Sequence, residues 1–593
     1  MTPAASSEPT VRRGRRLSVL VAVVSLLLAA AGAVLLARAG TGLAYRQVTV
    51  AGVPMTEVVP TDPASPSGGS GAVPPDGGGR PGVVVAHGFA GSSRLMTPIA
   101  DRLARSGFAV VSLDFTGHGA HRGRLPGAGG DSTDTAALLA ADLDSAVRHL
   151  RAMPGVDPAR IGLVGHSMGA GAVTRYAVSH PDIVATVAIS LPDAEDVPDG
   201  RGPASAGASG TAGPRSLLLV VGGAEFAGFR AATDEAMSRG GPAGDRRAVV
   251  VPGVEHISVL FAARTHDETA AWLARALGPV APEPAPALVG PATRLSGAGL
   301  LLLGFAVGLY PLGVLLLRRR SVRVDPSPVP IARPVLLTIV ALPVAAVAAW
   351  LVPTHRLPLA VGGYVAVFLA VTGLTLAGSA RLADRLTDPP TIRLTGPPAA
   401  RPASDGAPER TDAGRGLGGG APPATGSAIV ASAVTGIAIV GYAALAVAVP
   451  LHLGFTSTAP VGDRWWLLPA VIAGCLLFFA GVDRAVRADP AGLDRAVVGG
   501  AERQTVTGPR PRRFILGYVL SCVLTVVGLV VATVVGFAPG FVLLVVPLFA
   551  LLLTWQVVWA AVLRRLAAPR WVMALTGAVL LGWPIATTLP LTG

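Results

Sequence analysis

Residues Ile161–Gly169 read Ile-Gly-Leu-Val-Gly-His-Ser-Met-Gly, and they decide the fold of the first half of this chain. The apolar residues before Gly165 predict a short buried strand, and the Ala-rich segment after Gly169 predicts a helix. A serine on a sharp strand-to-helix turn needs neighbours without side chains, because the backbone must fold tightly and leave Oγ exposed. We therefore interpret Ser167 as a candidate nucleophile.

The composition divides the chain into a soluble part and a membrane part. Of the 593 residues, 51% are hydrophobic and only 14% are charged, which is too apolar for an ordinary soluble protein. Residues 45–280 mix polar and apolar runs, whereas residues 295–592 consist mostly of long apolar spans with short basic loops. We expect a soluble domain over 38–285, followed by an all-α transmembrane bundle over 295–592.

The N-terminal segment predicts an anchor. A basic tail over residues 1–16 precedes an apolar run over 17–37, which we interpret as an uncleaved transmembrane signal anchor. A cleaved signal peptide with a site near Ala37–Ala39 and a twin-arginine signal near Arg15 are the alternatives. All three deliver the soluble domain to the extracytoplasmic face.

The membrane part predicts about eight further helices. The apolar spans cover residues 295–317, 335–352, 359–378, 428–450, 465–482, 514–537, 541–563 and 572–591.

Arginine distribution predicts the orientation of these spans. All 48 basic residues are arginines, the net charge is +13, and the loops 379–427 and 483–513 are rich in Arg. The positive-inside rule places both loops in the cytoplasm. The opposite loops hold little positive charge, with Arg356 in one and Arg464 in another. We expect a multi-pass protein of the cell membrane whose partner is the lipid bilayer, with no nucleic-acid partner, because no basic patch contains interleaved aromatic residues.

The sequence argues against ion-coupled transport, a catalytic thiol and a metal site. No Asp, Glu, Lys or Arg lies inside the predicted spans, which argues against an ion-coupled transporter. Cys475 and Cys522 both lie in apolar spans, so the soluble domain has no thiol nucleophile. No cluster of His, Asp or Glu has the spacing of metal ligands, and we expect neither a metal nor another cofactor.

The soluble domain alternates short apolar strands with helices, which predicts a parallel sheet covered on both faces. Strands are predicted over 47–50, 55–59, 83–86, 109–114, 161–165, 184–191, 216–221 and 248–251, and helices over 98–106 and 135–153.

Four motifs follow the ends of predicted strands. They are His87–Phe89, Asp114–Gly119, Gly165–Gly169 and Pro252–His256. On these motifs, residues 45–280 resemble the α/β-hydrolase superfamily, nearest to its dienelactone-hydrolase, serine-aminopeptidase and monoacylglycerol-lipase-like members. The resemblance implies a mostly parallel sheet with helices on both faces. It also implies a serine hydrolase that acts through a Ser-His-acid triad and an acyl-enzyme.

The resemblance implies a role for each member of the triad. Ser167 is the nucleophile, and His256 is the base that takes its proton, because imidazole titrates near neutrality. The acid should follow the 216–221 strand, where Glu225 lies, although most relatives have Asp there. Asp196 is a rival acid and Asp234 a weaker one.

The resemblance also implies the surroundings of the triad. The backbone N–H groups of Met168 and Phe89 should form the oxyanion hole. We assign His87, Gly88 and His166 to the substrate pocket, with packing as the alternative for both histidines. The segment 192–214 is too short and too poor in apolar residues for a folded cap, so we expect an open or loosely covered site.

These features predict a membrane-anchored extracytoplasmic serine hydrolase, similar to esterases and lipases. Its substrate would be an acyl ester, lipid-borne or envelope-linked, with an amide or peptide as the second candidate. An acyltransferase that uses an envelope acceptor is an alternative. Another alternative is a non-catalytic binding module on a membrane transport or scaffold protein.

Overall fold

The computed structural model describes residues 8–61, 79–126, 133–197, 214–239, 245–278, 289–317, 329–387, 426–487 and 511–593. Within these ranges, an α/β domain lies against one end of a bundle of long apolar helices.

The α/β domain is built on one eight-stranded sheet. The strands are β1 (Leu43–Val50), β2 (Val53–Pro60), β3 (Arg80–Ala86), β4 (Ala109–Leu113), β5 (Val156–His166), β6 (Ala185–Ile189), β7 (Ser216–Gly222) and β8 (Asp245–Val251). Their order is β1-β2-β4-β3-β5-β6-β7-β8. Strands β3 to β8 are parallel, and the β1–β2 hairpin adds an antiparallel edge. The predicted α/β-hydrolase fold with a mostly parallel sheet is confirmed.

Helices cover both faces of this sheet. The chain begins with α1 (Glu8–Ala39), and the domain holds α2 (Thr97–Arg105), α3 (Thr133–Ala152), α4 (Met168–Ser179), α5 (Ala227–Ser238) and α6 (Ala263–Leu277). Successive side chains of β3 point to opposite faces. Val83 and Val85 pack in the cluster that contains residues of α2 and α6, and Val84 packs in the cluster of α3 and α4. The central strands are apolar throughout because both faces are buried.

Nine helices among the described residues are long and apolar enough to cross a membrane, and they indicate a multi-pass membrane protein. They are α1, α7 (Thr293–Leu317), α8 (Ala332–Leu351), α9 (Gly362–Thr387), α10 (Gly426–Gly454), α11 (Arg464–Ala485), α12 (Pro511–Val534), α13 (Val542–Arg565) and α14 (Arg570–Thr588). Each overlaps one of the nine predicted spans.

Two differences from the sequence expectation concern the loops. Helix α9 continues well past the predicted end at residue 378, because Arg381–Thr387 is rich in good helix formers and Asp384 pairs with Arg333 at 2.7 Å. Most of the loops predicted over 379–427 and 483–513 lies outside the described residues, at 388–425 and 488–510.

Small residues allow α1 to pack closely on α7. A Cβ atom on Gly32 would lie 2.6 Å from the carbonyl oxygen of Gly297, and one on Gly304 would lie 2.8 Å from the Ala29 nitrogen. The Ser25 hydroxyl also donates to the Gly304 carbonyl at 2.8 Å. Glycines at helix contacts let backbones approach and gain van der Waals packing, the main attraction between helices in lipid. The α/β domain is thus inserted between two paired helices.

Two arginines form hydrogen bonds between the α/β domain and the ends of α1 and α7. Arg105 of α2 donates at 2.9 Å to the carbonyls of Ala39, the last residue of α1, and of Thr41 just beyond it. Arg294 at the start of α7 donates to Asp101 at 2.7 Å and to the Tyr45 hydroxyl at 2.6 Å. Both contacts join the α/β domain to the ends of α1 and α7. Hydrogen bonds therefore hold the domain against these helices, in addition to the covalent connection.

A second attachment involves the loop after β4. Arg464, the first residue of α11, is completely buried and donates to the carbonyls of Gly117 at 3.0 Å, Leu589 at 3.1 Å and Thr587 at 3.0 Å. The Leu591 amide donates to the same Gly117 carbonyl at 2.8 Å. The end of the chain and the start of α11 therefore contact the domain together.

The opposite end of the bundle is basic. Arg484, near the end of α11, pairs with Asp384, which also binds Arg333. Arg487 and Arg564 lie over the Phe514 ring at 4.8 and 3.9 Å. Since α11 begins at the α/β domain, these residues mark the end of the bundle away from it.

Candidate active site

Ser167 occupies a strained turn between β5 and α4. Its φ is 53°, in the left-handed region that a residue with a side chain rarely adopts. The flanking glycines permit the turn, because a Cβ on Gly165 would lie 2.2 Å from the Gly169 carbonyl oxygen. A Cβ on Gly169 would lie 2.6 Å from the His87 carbonyl oxygen. The close approach of three backbone segments therefore explains why this motif needs glycine at both places.

The structure brings Ser167, His256 and Glu225 into one hydrogen-bonded line. The Nε2 atom of His256, on the loop after β8, lies 3.1 Å from Ser167 Oγ. Its Nδ1 atom is hydrogen-bonded to an oxygen of Glu225, on the loop after β7. The side chains of His256 and Glu225 are 3% and 0% exposed. In this geometry Nδ1–H donates to the carboxylate, and Nε2 accepts from the serine hydroxyl.

The second carboxylate oxygen of Glu225 is also engaged. It accepts from the Ser190 hydroxyl at 2.9 Å and from the Gly222 amide at 3.3 Å. These bonds offset the cost of burying a carboxylate and fix the orientation of its other oxygen toward His256.

The two rival acids lie elsewhere. Asp196 forms an ion pair with Arg175 on α4, and Asp234 is exposed on α5. Of the three predicted acids, Glu225 is the one that the structure hydrogen-bonds to the imidazole of His256.

The predicted oxyanion donors border the nucleophile. A Cβ on Gly88 would lie 3.0 Å from Ser167 Cβ, so the His87–Phe89 loop passes directly beside the serine. Met168 is the first residue of α4, and the first N–H groups of a helix have no acceptor inside it. The N–H groups of Phe89 and Met168 are therefore suited to bind a developing oxyanion.

His87 organises this loop instead of lining an open pocket. It is completely buried, its Nε2 accepts from the Phe115 amide at 3.1 Å, and its Nδ1 is 2.8 Å from the Gly88 carbonyl. Because a backbone N–H donates to Nε2, Nδ1 carries the proton and donates to Gly88. Burial lowers the pKa of His87, which favours this neutral form.

His166 supports the base from behind. Its Nε2 donates to the His256 carbonyl at 2.9 Å, and the two ring centroids are 4.8 Å apart. Burial lowers the pKa of His166 well below its usual value, so the ring is neutral. The contacts of both buried histidines are those of packing residues, whereas the backbone of Gly88 passes directly beside the Ser167 side chain.

Aromatic side chains surround the triad. The ring of Phe229 lies 4.5 Å from that of His256, and the half-exposed Phe226 lies 6.4 Å from it. The Phe89 ring stacks on Phe541 at the start of α13, with the centroids 4.4 Å apart. Within the residues that the structure describes, no group of three or more His, Cys, Asp or Glu could hold a metal ion.

Part of the predicted loose cover, residues 198–213, lies outside the described residues. Among the described residues, Phe541 contacts the predicted oxyanion loop through Phe89, and the sequence did not predict this contact. No local pattern marks this residue, because it follows an ordinary turn between two apolar spans. Only the docking of the domain on the bundle brings it to Phe89.

Comparison with known proteins finds similarity within the α/β domain. Residues 79–201 match the family model described as serine aminopeptidase, S33. An uncharacterized protein of Mycobacterium tuberculosis is 35% identical over 105 residues, which cover 18% of this chain and 34% of that protein. The dihydrolipoyllysine-residue acetyltransferase component of the acetoin cleaving system of Cupriavidus necator is 35% identical over 116 residues, or 20% and 28% of the two chains. This chain spans about a third of the length of these curated relatives.

Solved structures align with part of this chain. A dienelactone hydrolase from Anabaena variabilis covers 40% of this chain and 100% of its own, with 19% identity and a TM-score of 0.29. A hypothetical protein from Pseudomonas aeruginosa covers 40% and 94%, with 14% identity and a TM-score of 0.31. The family match confirms the resemblance to α/β-hydrolases, and the matched segment ends before the helices that follow the domain.

Proposed function

We propose that this protein is a membrane-embedded serine hydrolase that cleaves carboxylic esters through an acyl-enzyme on Ser167. The observation that carries the proposal is the buried line from Glu225 through His256 to Ser167, with Nε2 3.1 Å from Oγ. A serine hydroxyl is a weak nucleophile unless a positioned base removes its proton, and this geometry supplies that base. An amide or peptide bond is the second candidate for the bond that is cleaved.

The geometry supports a two-step reaction. His256 Nε2 takes the proton as Ser167 Oγ attacks the ester carbonyl, and the N–H groups of Met168 and Phe89 stabilise the oxyanion. His256 then returns the proton to the departing alcohol, which leaves an acyl group on Oγ. Water repeats the sequence, releasing the acid and restoring the serine. Each oxyanion donor contributes about 3 kcal/mol to such a reaction.

We further propose that the α/β domain faces the cell exterior. The support is the arginine distribution, since the basic end of the bundle around Arg333 and Arg484 lies opposite the domain. Cytoplasmic ends of membrane helices carry the excess of Arg. The close packing of α1 on α7 favours a retained anchor, because cleavage would remove a helix that the bundle contains.

The test compares ester cleavage by full-length protein and a serine variant in detergent. We expect Ser167→Ala to reduce cleavage of p-nitrophenyl esters by at least about a thousandfold. The matched control is Ser179→Ala, an exposed serine on the same helix α4, which should retain activity. Equal cleavage by Ser167→Ala and the wild type would refute the proposal.

The same assay separates the alternatives. A glycerol acceptor added to the reaction would yield a new ester instead of free acid if the protein is an acyltransferase. A wild type that cleaves no ester and binds no serine-directed probe would support the non-catalytic binding module.

A further inference from the structure

The turn between α12 and α13 places a membrane-domain side chain on the proposed catalytic loop. Phe541, which directly precedes α13, stacks on Phe89 with an interplanar angle of 28°. The turn itself is anchored, since Phe537 packs edge-on against Trp350 at the end of α8, with ring centroids 5.8 Å apart. The turn that brings Phe541 to Phe89 is therefore itself packed against α8.

This contact borders the predicted oxyanion loop. Phe89 is the residue whose N–H is suited to the oxyanion, so Phe541 covers the ring of an oxyanion donor. Phe541 remains 37% exposed, and Phe226 on the His256 side of the triad is half exposed. Apolar surface of this kind on both sides of a nucleophile commonly marks a binding site.

An apolar face of α12 leads toward the same turn. Val523, Val527 and Val531 are each half exposed and follow one another at intervals of four residues. Residues four apart lie on one face of a helix, so these valines form a stripe that runs up to the turn before Phe541. In a helix long and apolar enough to span the membrane, such a stripe faces the hydrocarbon of the bilayer.

We propose that Phe541 determines substrate specificity by holding the long apolar chain of an ester that enters from the bilayer. The occupant is the acyl chain of a membrane lipid, with its ester carbonyl at Ser167 and its chain against Phe541 and the valine face of α12. This inference rests on the proposed hydrolase function and names its substrate class. It also gives the membrane bundle a part in recognition.

The experiment measures chain-length selectivity in full-length protein in phospholipid nanodiscs. The probes are the 4-methylumbelliferyl esters of butyrate and palmitate, because only the longer chain extends beyond the catalytic loop. We expect Phe541→Ala to lower kcat/KM for the palmitate ester about tenfold, equivalent to about 1.4 kcal/mol, and that for the butyrate ester less than about threefold. Phe541→Leu, which keeps an apolar side chain, should restore most of the palmitate rate.

A matched control truncates another apolar side chain at the same end of the bundle. Leu351→Ala removes an exposed leucine at the end of α8 and should leave both rates unchanged. The rate of fluorophosphonate labelling reports whether the triad in Phe541→Ala is intact, independently of any substrate chain.

The outcomes separate this inference from the function on which it rests. Equal losses for both esters, or no loss for either, would overturn the role of Phe541 while labelling of the wild type upheld the hydrolase. Absence of both labelling and ester cleavage in the wild type would refute the hydrolase itself.

Discussion

Replacing Glu225 with Gln should invert the proton arrangement of His256. One carboxylate oxygen of Glu225 faces His256 Nδ1, and the other accepts from the Gly222 amide at 3.3 Å. The backbone amide can only donate, so the glutamine oxygen must take the position that faces Gly222. The glutamine NH₂ group then points at Nδ1 and favours the tautomer whose proton is on Nε2. An Nε2 that already carries a proton cannot accept the one from Ser167.

The expected loss of activity is large because Glu225→Gln favours the unproductive tautomer of His256 in addition to removing a negative charge. The corresponding exchange of acid for amide in a serine protease triad lowers kcat about 10⁴-fold, and we expect about 10³- to 10⁴-fold here. The glutamine has nearly the same shape and keeps the contact with the Ser190 hydroxyl, because its oxygen stays in the position that accepts from both Ser190 and Gly222. Folding should therefore be largely retained.

The assay is p-nitrophenyl butyrate cleavage by detergent-purified Glu225→Gln, with thermal unfolding as the check on folding. Asp196→Asn is the matched control, because Asp196 is a buried carboxylate paired with Arg175 instead of His256. We expect the control to keep its rate within about tenfold. A wild-type rate in Glu225→Gln, or a larger loss in Asp196→Asn, would refute the assignment of the acid.

Three further predictions concern stability and the turn at the nucleophile. Arg464→Met removes three hydrogen bonds from a buried guanidinium and should lower the free energy of unfolding by about 3 kcal/mol in denaturant titrations. The control Arg124→Met removes an exposed ion pair and should lower it by less than about 1 kcal/mol. Equal losses in the two variants would contradict the role of the buried arginine. Burial lowers the pKa of His266 to about 4, so its contribution to stability is present above about pH 6.5 and is lost as the pH falls toward 4, by up to about 1.4 kcal/mol per pH unit. His266→Gln should accordingly flatten the fall in melting temperature over that range, and an unchanged slope would exclude this histidine as its source. Gly169→Ala places a Cβ 2.6 Å from the His87 carbonyl oxygen and should slow fluorophosphonate labelling at least about a hundredfold, with a wild-type rate as the contrary result.

The sequence was most informative where a local physical constraint acts. The two glycines around Ser167 report a backbone contact that no side chain could fit. The apolar runs of β3 to β7 report burial on both faces, which predicts a parallel sheet. These are properties of a few neighbouring residues, so they can be read without knowledge of the tertiary structure.

The sequence favoured Glu225 as the acid but did not exclude its rivals, for the opposite reason. Glu225 and Asp196 both follow strands after the nucleophile, and the order of residues along the chain does not distinguish them. The choice depends on which loop the β8 histidine reaches, and the parallel pairing of β7 with β8 brings that histidine to Glu225.

The contacts between the α/β domain and the bundle were beyond sequence reasoning. Arg464 is one of the few arginines in the loops on the domain side, and the positive-inside rule does not explain an arginine at this position. The structure buries it against Gly117 and the chain end. The proposed role of Phe541 likewise depends on its contact with Phe89, which is distant in the sequence.

The most direct test of an activated serine is fluorophosphonate labelling of membranes that contain the full-length protein, followed by mapping of the labelled peptide. We predict one modified residue, Ser167, and complete loss of the label in Ser167→Ala. An unlabelled wild type, or a label that persists in Ser167→Ala, would contradict the proposal that Glu225 and His256 activate this serine.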